Sequence, residues 1–189
     1  MEFDLQPTLR GNLVEIRPLR LSDFDALFAA ASDPLIWEQH PEPDRYTRPV
    51  FQKFFDGAIA SRGAFSVIEL NSGRIIGSSR YYGHDPAERA SRGYDPEERT
   101  ILIGYTFLER AFWGRSFNRE LKALMLDHAF KLVDRVYFEV GEKNIRSQKA
   151  LLNIGAHFVR RTRLPLPNGT LSPFVVFSIE RDTPEHGRA

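Results

Sequence analysis

Hydrophobic and polar positions change their period along the chain, and each change indicates a new element. Residues 13–19 alternate imperfectly and end beside a proline, which is typical of a strand. Ser22 occupies an N-cap position before apolar residues at helical spacing, so a helix is predicted over 24–31, with Pro34 stopping it. Phenylalanines between 51 and 59 indicate a second amphipathic helix.

The middle of the chain has the pattern of strands. Residues 64–70 and 74–82 predict a hairpin, because a short turn containing glycine separates two strand-like runs. A long polar connection over 83–99 follows, and residues 101–108 then predict a further strand. Gly104 lies inside that strand, which suggests a bulge or a close backbone approach.

The strongest helical pattern begins near residue 118. Its predicted apolar face consists of Phe117, Leu121, Leu124, Met125, His128, Ala129 and Leu132. The side chains predicted to point away from that face are Arg119, Lys122, Asp127 and Lys131.

The last third predicts a short strand, a helix and two further strands, at 136–140, 145–153, 158–164 and 174–179. The resulting order of elements predicts an α/β or α+β protein, in which helices pack on the faces of one sheet. The strand–helix–strand unit over 101–140 should form a right-handed parallel crossover.

Composition narrows the class of protein. A chain of 189 residues fits one domain over 1–189, with a frayed tail predicted after about residue 181. The net charge of +1 argues against nucleic acid or an anionic membrane as the main partner. The chain has no cysteine and begins without a signal-peptide pattern, so a cytoplasmic location is expected.

Common catalytic motifs are absent from the sequence. It contains no zinc-hydrolase, serine-hydrolase, phosphate-loop or dinucleotide-binding motif. The five histidines are scattered without the spacing of metal ligands, so no metal site is predicted.

One local arrangement could carry chemistry. Residues 105–107 close a strand, and residues 113–118 form a turn that leads directly into the strong helix. Free backbone amides at a helix start, together with the helix dipole, favour a phosphate or diphosphate, and Arg115 adds positive charge. On this pattern alone, an ordinary capped helix after an ordinary strand is an equal alternative.

The order of elements and three motifs resemble the GNAT N-acetyltransferase superfamily, in particular its RimJ/RimL-like branch. The likeness covers 13–179. The motifs are Ile103-Gly104-Tyr105-Thr106-Phe107-Leu108, Trp113-Gly114-Arg115-Ser116-Phe117-Asn118-Arg119-Glu120-Leu121, and Asn144-Ile145-Arg146-Ser147-Gln148-Lys149-Ala150 with Ile154-Gly155-Ala156. The resemblance implies a mixed, mostly antiparallel sheet with a splayed parallel strand pair and helices on both faces.

The resemblance also implies acetyl-CoA as cofactor. In this family a bulged strand holds the pantetheine arm, which would here fall to Tyr105, Thr106 and Phe107. Asn144 would lie near the thioester, and Lys149 would reach the rest of the CoA. The diphosphate would rest on the turn and helix start formed by Trp113, Gly114, Arg115, Ser116, Phe117 and Asn118.

Three positions depart from the family pattern. Ser116 stands where a glycine is usual, which could strain the phosphate-binding turn. Leu102 occupies the position of a glutamate that often acts as general base, and Leu151 that of a tyrosine that often protonates the leaving thiolate.

Other residues could therefore supply the general base and the proton donor that Leu102 and Leu151 cannot provide. His84 and Asp85 are candidates for a base acting through water, with plain turn residues as the alternative. Ser147 is a candidate proton donor, with a helix-start hydroxyl as the alternative. The acceptor is expected to enter between 35–49 and 83–99, where the walls would be formed by Trp37, Tyr46, Tyr81 and Tyr82.

Two functions remain open from the sequence. The first is an acetyl-CoA-dependent N-acetyltransferase that forms a ternary complex with a primary amine, either a protein N-terminus or a small molecule. The second is a module that binds CoA but has lost the chemistry, a hypothesis that Leu102 and Leu151 favour. The strand-rich C-terminal part is where two copies could pair as a homodimer.

Overall fold

The computed structural model describes residues 3–181, which form one sheet with helices around it. The predicted tail after about residue 181 lies outside these described residues. The strands are β1 Leu9–Arg10, β2 Val14–Pro18, β3 Ala64–Glu69, β4 Ile75–Tyr82, β5 Thr100–Leu108, β6 Arg135–Gly141, β7 His157–Pro165 and β8 Leu171–Glu180. The helices are α1 Phe24–Ala31, α2 Arg48–Ala60, α3 Pro86–Ser91, α4 Phe117–Ala129 and α5 Ile145–Leu152.

The eight described strands lie in the order β1-β2-β3-β4-β5-β6-β8-β7. Each pairs antiparallel with its neighbour, except for the parallel pair β5 and β6. Helix α4 connects these two parallel strands. The predicted fold class, a mixed and mostly antiparallel sheet containing one parallel pair, is confirmed.

The parallel pair separates soon after it begins. Strands β5 and β6 are paired from Thr100 opposite Arg135 to Leu102 opposite Tyr137, and no pairing between them follows. The remainder of β5 and the end of β6 therefore diverge and leave a gap in the middle of the sheet. This is the splayed strand pair that the resemblance implied.

A bulge on the other edge of β5 accompanies the gap. Gly104 pairs with Arg80 of β4, whereas Phe107 pairs with Ser78, so that two residues of β5 stand opposite one residue of β4. One of these two residues, Tyr105, has a left-handed φ of 53°. The bulge predicted from Gly104 is confirmed, and it turns the strand away from its parallel partner.

Helices cover both faces of the sheet, as predicted. The apolar face of α4 packs with α5 and the central strands in one core, which includes Leu121, Met125 and Leu151. On the other face, α1 and α2 form a core rich in phenylalanine, which includes Phe51 and Phe55. No helix among residues 3–181 is long and apolar enough to cross a membrane.

A carboxylate fixes the start of α4 to the sheet. Glu120 accepts hydrogen bonds from three backbone amides, those of Asn12 at 2.7 Å, Leu13 at 2.7 Å and Val14 at 2.9 Å. Because charged acceptors form the stronger hydrogen bonds, this contact holds the first turn of α4 against the beginning of β2.

Local details differ from the sequence expectation at the start of α1 and in the polar connection over 83–99. Ser22 is not an N-cap: a 3-10 turn over Leu21–Asp23 precedes α1, and the Asp23 carboxylate accepts the amide of Arg20 at 2.9 Å. The polar connection contains α3, a helix that was not predicted, and its N-terminus is capped by Asp85.

Candidate active site

The gap between β5 and β6 opens into a cleft with a volume of about 420 Å³. Its walls are the diverging ends of the two strands, the start of α4, the start of α5 and the segment over 36–45. The cleft thus lies where the strands have lost their mutual hydrogen bonds and where two helices begin.

The turn before α4 leaves a row of backbone amides without protein partners. Among the described residues, the amides of 114–119 donate to no protein acceptor, and the first paired amide is that of Glu120, which donates to the Ser116 carbonyl at 2.9 Å. Gly114 and Asn118 line the cleft at this end. Consecutive free amides and the positive end of a helix dipole fit a diphosphate.

Ser116 adopts the conformation that would suit the glycine usual in the family. Its φ is 66°, and it directly precedes α4. A left-handed conformation costs a residue with a side chain roughly 1 kcal/mol relative to glycine, so the departure from the family pattern is accommodated with local strain.

We expect Ser116→Gly to raise the free energy of unfolding by about 1 kcal/mol, because glycine adopts this conformation without the steric cost. Urea unfolding of both proteins measures the difference. The control is Ser32→Gly, since Ser32 has a right-handed φ of −75° and should gain nothing from glycine. Equal stability of wild type and Ser116→Gly contradicts the strain at this position.

The strand side of the cleft is formed by the bulge. Tyr105, Thr106 and Phe107 all line it, as does Trp113. The indole N–H of Trp113 donates to the carbonyl of Leu108 at 2.9 Å, which holds the ring beside the end of β5. An extended ligand in this gap could use the backbone groups that β5 no longer shares with β6.

The start of α5 forms the opposite wall. Asn144 is buried, and its side-chain oxygen accepts the amide of Ser147 at 3.1 Å, so it caps the helix at the edge of the cleft. Ser147 and Leu151 line the cleft as well. Lys149 is exposed and is not part of this lining.

A segment between α1 and α2 closes the cleft from above. Trp37 is buried, its indole N–H donates to the carbonyl of Ala31 at 2.8 Å, and it lines the cleft together with His40 and Arg45. Arg146 at the start of α5 donates to the carbonyl of Ile36 at 2.9 Å, which ties this segment to the opposite wall.

Charges in this segment are balanced locally. Arg45 is buried and forms an ion pair with Glu42. Burial and the nearby Arg45 guanidinium lower the pKa of His40 to about 3, so the imidazole is neutral near pH 7. His40 is therefore a poor proton acceptor in spite of its place in the cleft.

A buried carboxylate, that of Glu139, is part of the cleft lining. Glu139 of β6 accepts hydrogen bonds from the hydroxyls of Tyr82 at 3.2 Å and Tyr94 at 3.0 Å, and it pairs with Arg92 at 2.8 Å. Burial raises the pKa of Glu139, although these partners oppose the increase. A carboxylate with a raised pKa can take a proton from an attacking amine.

Lys122 is the largest departure from the sequence expectation in this region. It was predicted to point away from the apolar face of α4, but its residue is only 4% exposed and it lines the cleft. Its ammonium group donates to the hydroxyl of Thr106 at 2.6 Å. Burial lowers the pKa of Lys122 to about 7.

Several predicted site residues do not reach the cleft. His84 is exposed at the end of β4 and lies in a separate depression, near the zipped end of the parallel pair. Asp85 accepts the amide of Ala87 at 2.7 Å and thus caps α3. Both residues lie away from the cleft, because β4 runs from the splayed end toward the paired end of β5 and they follow its last residue.

The predicted aromatic wall is also incomplete. Trp37 lines the cleft, but Tyr46 is exposed outside it. Tyr81 is buried on the α4 face, where its hydroxyl donates to the carbonyl of Met125 at 2.5 Å. Tyr82 is not part of the cleft lining, but its ring packs against Tyr105 and its hydroxyl donates to Glu139, and both of these residues line the cleft. Tyr81 and Tyr82 point to opposite faces because neighbours in a strand alternate.

Only some residues of the turn before α4 have side chains that line the cleft. Gly114 and Asn118 line the cleft, whereas the side chains of Arg115 and Ser116 are exposed and Phe117 packs into the core. These three contribute backbone amides rather than side chains. Among residues 3–181, no group of three or more His, Asp or Glu side chains could hold a metal ion.

Sequence reasoning missed four ionisable lining residues, which are His40, Arg45, Lys122 and Glu139. A signal existed for Lys122: it follows Asn118 by four residues and therefore lies on the same face of α4 as the helix start. Glu139 interrupts an otherwise apolar strand, which is the pattern of a buried polar group with a role. Nothing local in the sequence indicates His40.

A splayed parallel strand pair, with a helix start rich in free amides at its mouth, has the geometry to hold an extended ligand that carries a diphosphate. A family model described as an acetyltransferase (GNAT) domain matches residues 14–157. The chain belongs to the GNAT acetyltransferase family, which implies acetyl transfer from acetyl-CoA.

Known structures support the fold. A GCN5-related N-acetyltransferase from Brucella melitensis is 23% identical, with a TM-score of 0.73 over 93% of this chain and 79% of that chain. RimJ from Mycobacterium smegmatis, in complex with CoA-disulfide, is 18% identical, with a TM-score of 0.64 over 93% of this chain and 86% of its own. The ribosomal-protein-S5-alanine acetyltransferase from Vibrio fischeri is 18% identical, with a TM-score of 0.62 over 93% and 97%. No curated protein sequence matches the chain.

Proposed function

We propose that this protein is an acetyl-CoA-dependent N-acetyltransferase of the RimJ/RimL-like branch, which transfers the acetyl group to a primary amine by direct attack in a ternary complex. The observation that carries the proposal is the continuity of one cleft with two features: the free amides of 114–119 and the unpaired edges of β5 and β6. The similarity to RimJ, whose structure is in complex with CoA-disulfide, supports the branch and the ligand.

The described residues fit the cofactor along its length. The amides of 114–119 would hold the diphosphate, because no protein acceptor occupies them. The backbone of Tyr105, Thr106 and Phe107 would hold the pantetheine arm at the bulge. Asn144 would contact the arm from α5, while Lys149, being exposed, would meet only the outer part of the CoA. When bound, acetyl-CoA supplies an acetyl group activated as a thioester.

The chain itself contributes orientation, exclusion of water and proton transfer. Trp37 and the segment around it cover the cleft, so the amine and the thioester would meet away from bulk water. Glu139 is the buried carboxylate that lines the cleft, and it would take the proton that the amine nitrogen loses. Ser147 lines the cleft too, and its hydroxyl stays a predicted proton donor, since only its backbone amide is used in the cap formed by Asn144.

The test combines binding with turnover. Isothermal titration with acetyl-CoA should show saturable binding, and free thiol should appear when a panel of N-terminal peptides and small primary amines is added. Absence of acetyl-CoA binding at millimolar concentration contradicts the proposal. Binding without thiol release on any amine identifies the binding-only module instead. A cytoplasmic location and a homodimer stay predictions.

A further inference from the structure

We propose that Lys122 is a catalytic residue of this acetyl transfer, namely the acid that gives its Nζ proton to the departing sulfur. The inference rests on the proposed function and adds a role for a side chain that the family pattern does not assign. It replaces the donor missing at Leu151, which is apolar and lines the same cleft.

The Lys122 side chain enters the cleft from α4 and lies between the two diverging strands. Nζ is 2.6 Å from the hydroxyl oxygen of Thr106 on β5 and 5.6 Å from the ring centroid of Phe138 on β6. The amine therefore lies in the gap through which the pantetheine arm would pass, one helical turn beyond Asn118.

The Lys122 amine is buried beside polar groups that carry no charge. No carboxylate of residues 3–181 forms an ion pair with it, and its one hydrogen-bond partner is the Thr106 hydroxyl, which is itself 2.8 Å from the hydroxyl of Ser79. A buried amine without a counter-ion is costly, and leucine or methionine would fill such a position without that cost. A role for the amine in the cleft would explain why the chain has lysine at this buried position.

None of the charged groups that line the cleft holds the Lys122 amine in an ion pair. Glu139, the residue that follows Phe138 on β6, is paired with Arg92. Arg45 and His40 belong to the covering segment, and Arg146 is at the start of α5. None of them forms a hydrogen bond or an ion pair with Lys122, and burial alone lowers its pKa to about 7. An acid with this pKa suits transfer of a proton to a thiolate near neutral pH.

The step balances in atoms and electrons. The amine nitrogen forms a bond to the acetyl carbon, and the carbon–sulfur bond breaks with its electron pair remaining on sulfur. Lys122 gives that sulfur one proton, and the nitrogen loses one proton to Glu139 or to water. Lys122 then regains a proton from solvent through the open cleft, so the net reaction converts amine and thioester into amide and thiol.

Substitution of Lys122 by methionine tests the role, because methionine has a similar length and no proton to give. We expect Lys122→Met to bind acetyl-CoA within about threefold of wild type while kcat for thiol release falls roughly 100-fold or more. We expect kcat of the wild type to decrease at alkaline pH, where Lys122 has lost its proton, and we expect this decrease to be absent in the variant. Lys122→Leu repeats the test if methionine folds poorly, and Lys131→Met on the exposed end of the helix region is the control.

Lys122→Arg separates proton donation from charge alone. A guanidinium keeps its positive charge but does not release a proton in this pH range, so full turnover by Lys122→Arg overturns the proposal. A kcat of Lys122→Met within about threefold of wild type overturns it too, and so does a large loss of acetyl-CoA binding with unchanged kcat.

A measurement without turnover completes the test. Titration with CoA in two buffers of different ionisation enthalpy gives the number of protons exchanged on binding. We expect that number to differ between wild type and Lys122→Met near pH 7, and equal numbers contradict the inference. Failure of the proposed function would instead show in the wild type, as missing acetyl-CoA binding or missing thiol release.

Discussion

Replacement of Asn118 by aspartate is expected to weaken acetyl-CoA binding about 100-fold or more while the protein remains folded, because a carboxylate beside the diphosphate site adds like-charge repulsion. Asn118 lies in the first turn of α4 and lines the cleft beside the free amides. The same negative charge favours the positive end of the helix dipole, so the free energy of unfolding should stay equal or rise by about 0.5 kcal/mol. Titration calorimetry and urea unfolding measure the two effects.

The contrast between the two effects makes the prediction specific. Asn168→Asp is the matched control, because the side-chain oxygen of Asn168 accepts the amide of Thr170 in the exposed turn between β7 and β8. That variant should bind acetyl-CoA as the wild type does. If Asn118→Asp binds equally well, the diphosphate does not rest on the start of α4.

The backbone part of this site could be predicted from the sequence. A glycine inside a strand and a turn that runs directly into a strong helix are local features, and the structure shows both, as the bulge at Gly104 and the free amides of 114–119. Local patterns suffice here because the first amides of a helix have no partner within the helix.

The side-chain part could not be predicted in the same way. Lys122 occupies a polar position of an amphipathic pattern, and it is buried only because β5 and β6 diverge above it. Glu139 is surrounded by tyrosines and an arginine that come from distant parts of the chain. Periodicity assigns polar residues to solvent, and a cleft inside the sheet is the exception that it cannot describe.

Among the elements, the shortest were the least predictable. Strand β1 has two residues and exists only through its pairing with β2. Helix α3 was missed although Asp85 and Pro86 form a usual helix start, because Asp85 was interpreted as a catalytic candidate instead. Arg89 then stabilises α3 through carbonyls of Gly83, His84 and Pro96, contacts that only the folded chain reveals.

Another buried carboxylate, that of Asp23, lies at the start of α1. The Asp23 side chain is 7% exposed and accepts both terminal nitrogens of Arg17, at 2.7 Å and 2.8 Å. It also accepts the Arg20 amide at 2.9 Å and the Ser66 hydroxyl at 2.8 Å. These bonds join β2, α1 and β3 below the aromatic core.

We expect Asp23→Asn to lower the free energy of unfolding by about 3 kcal/mol near pH 7, because the neutral amide leaves Arg17 without its counter-ion. Asp25→Asn is the control: Asp25 pairs with Arg48 on the surface, where the two side chains are 82% and 60% exposed, and its loss should cost less than about 1 kcal/mol. Urea unfolding of the three proteins gives the comparison.

The effect of Asp23 should depend on pH with a definite sign. Burial by itself raises the pKa of Asp23, but the hydrogen bonds from Arg17, Arg20 and Ser66 outweigh it, so the pKa in the folded protein is lowered. The unfolded carboxylate then binds protons more readily, and the stabilisation is present above its ordinary pKa of about 4 and lost as pH falls through the lower folded value. The difference between wild type and Asp23→Asn should therefore shrink in acid, and an equal difference at pH 7 and pH 3 contradicts the role of the charge.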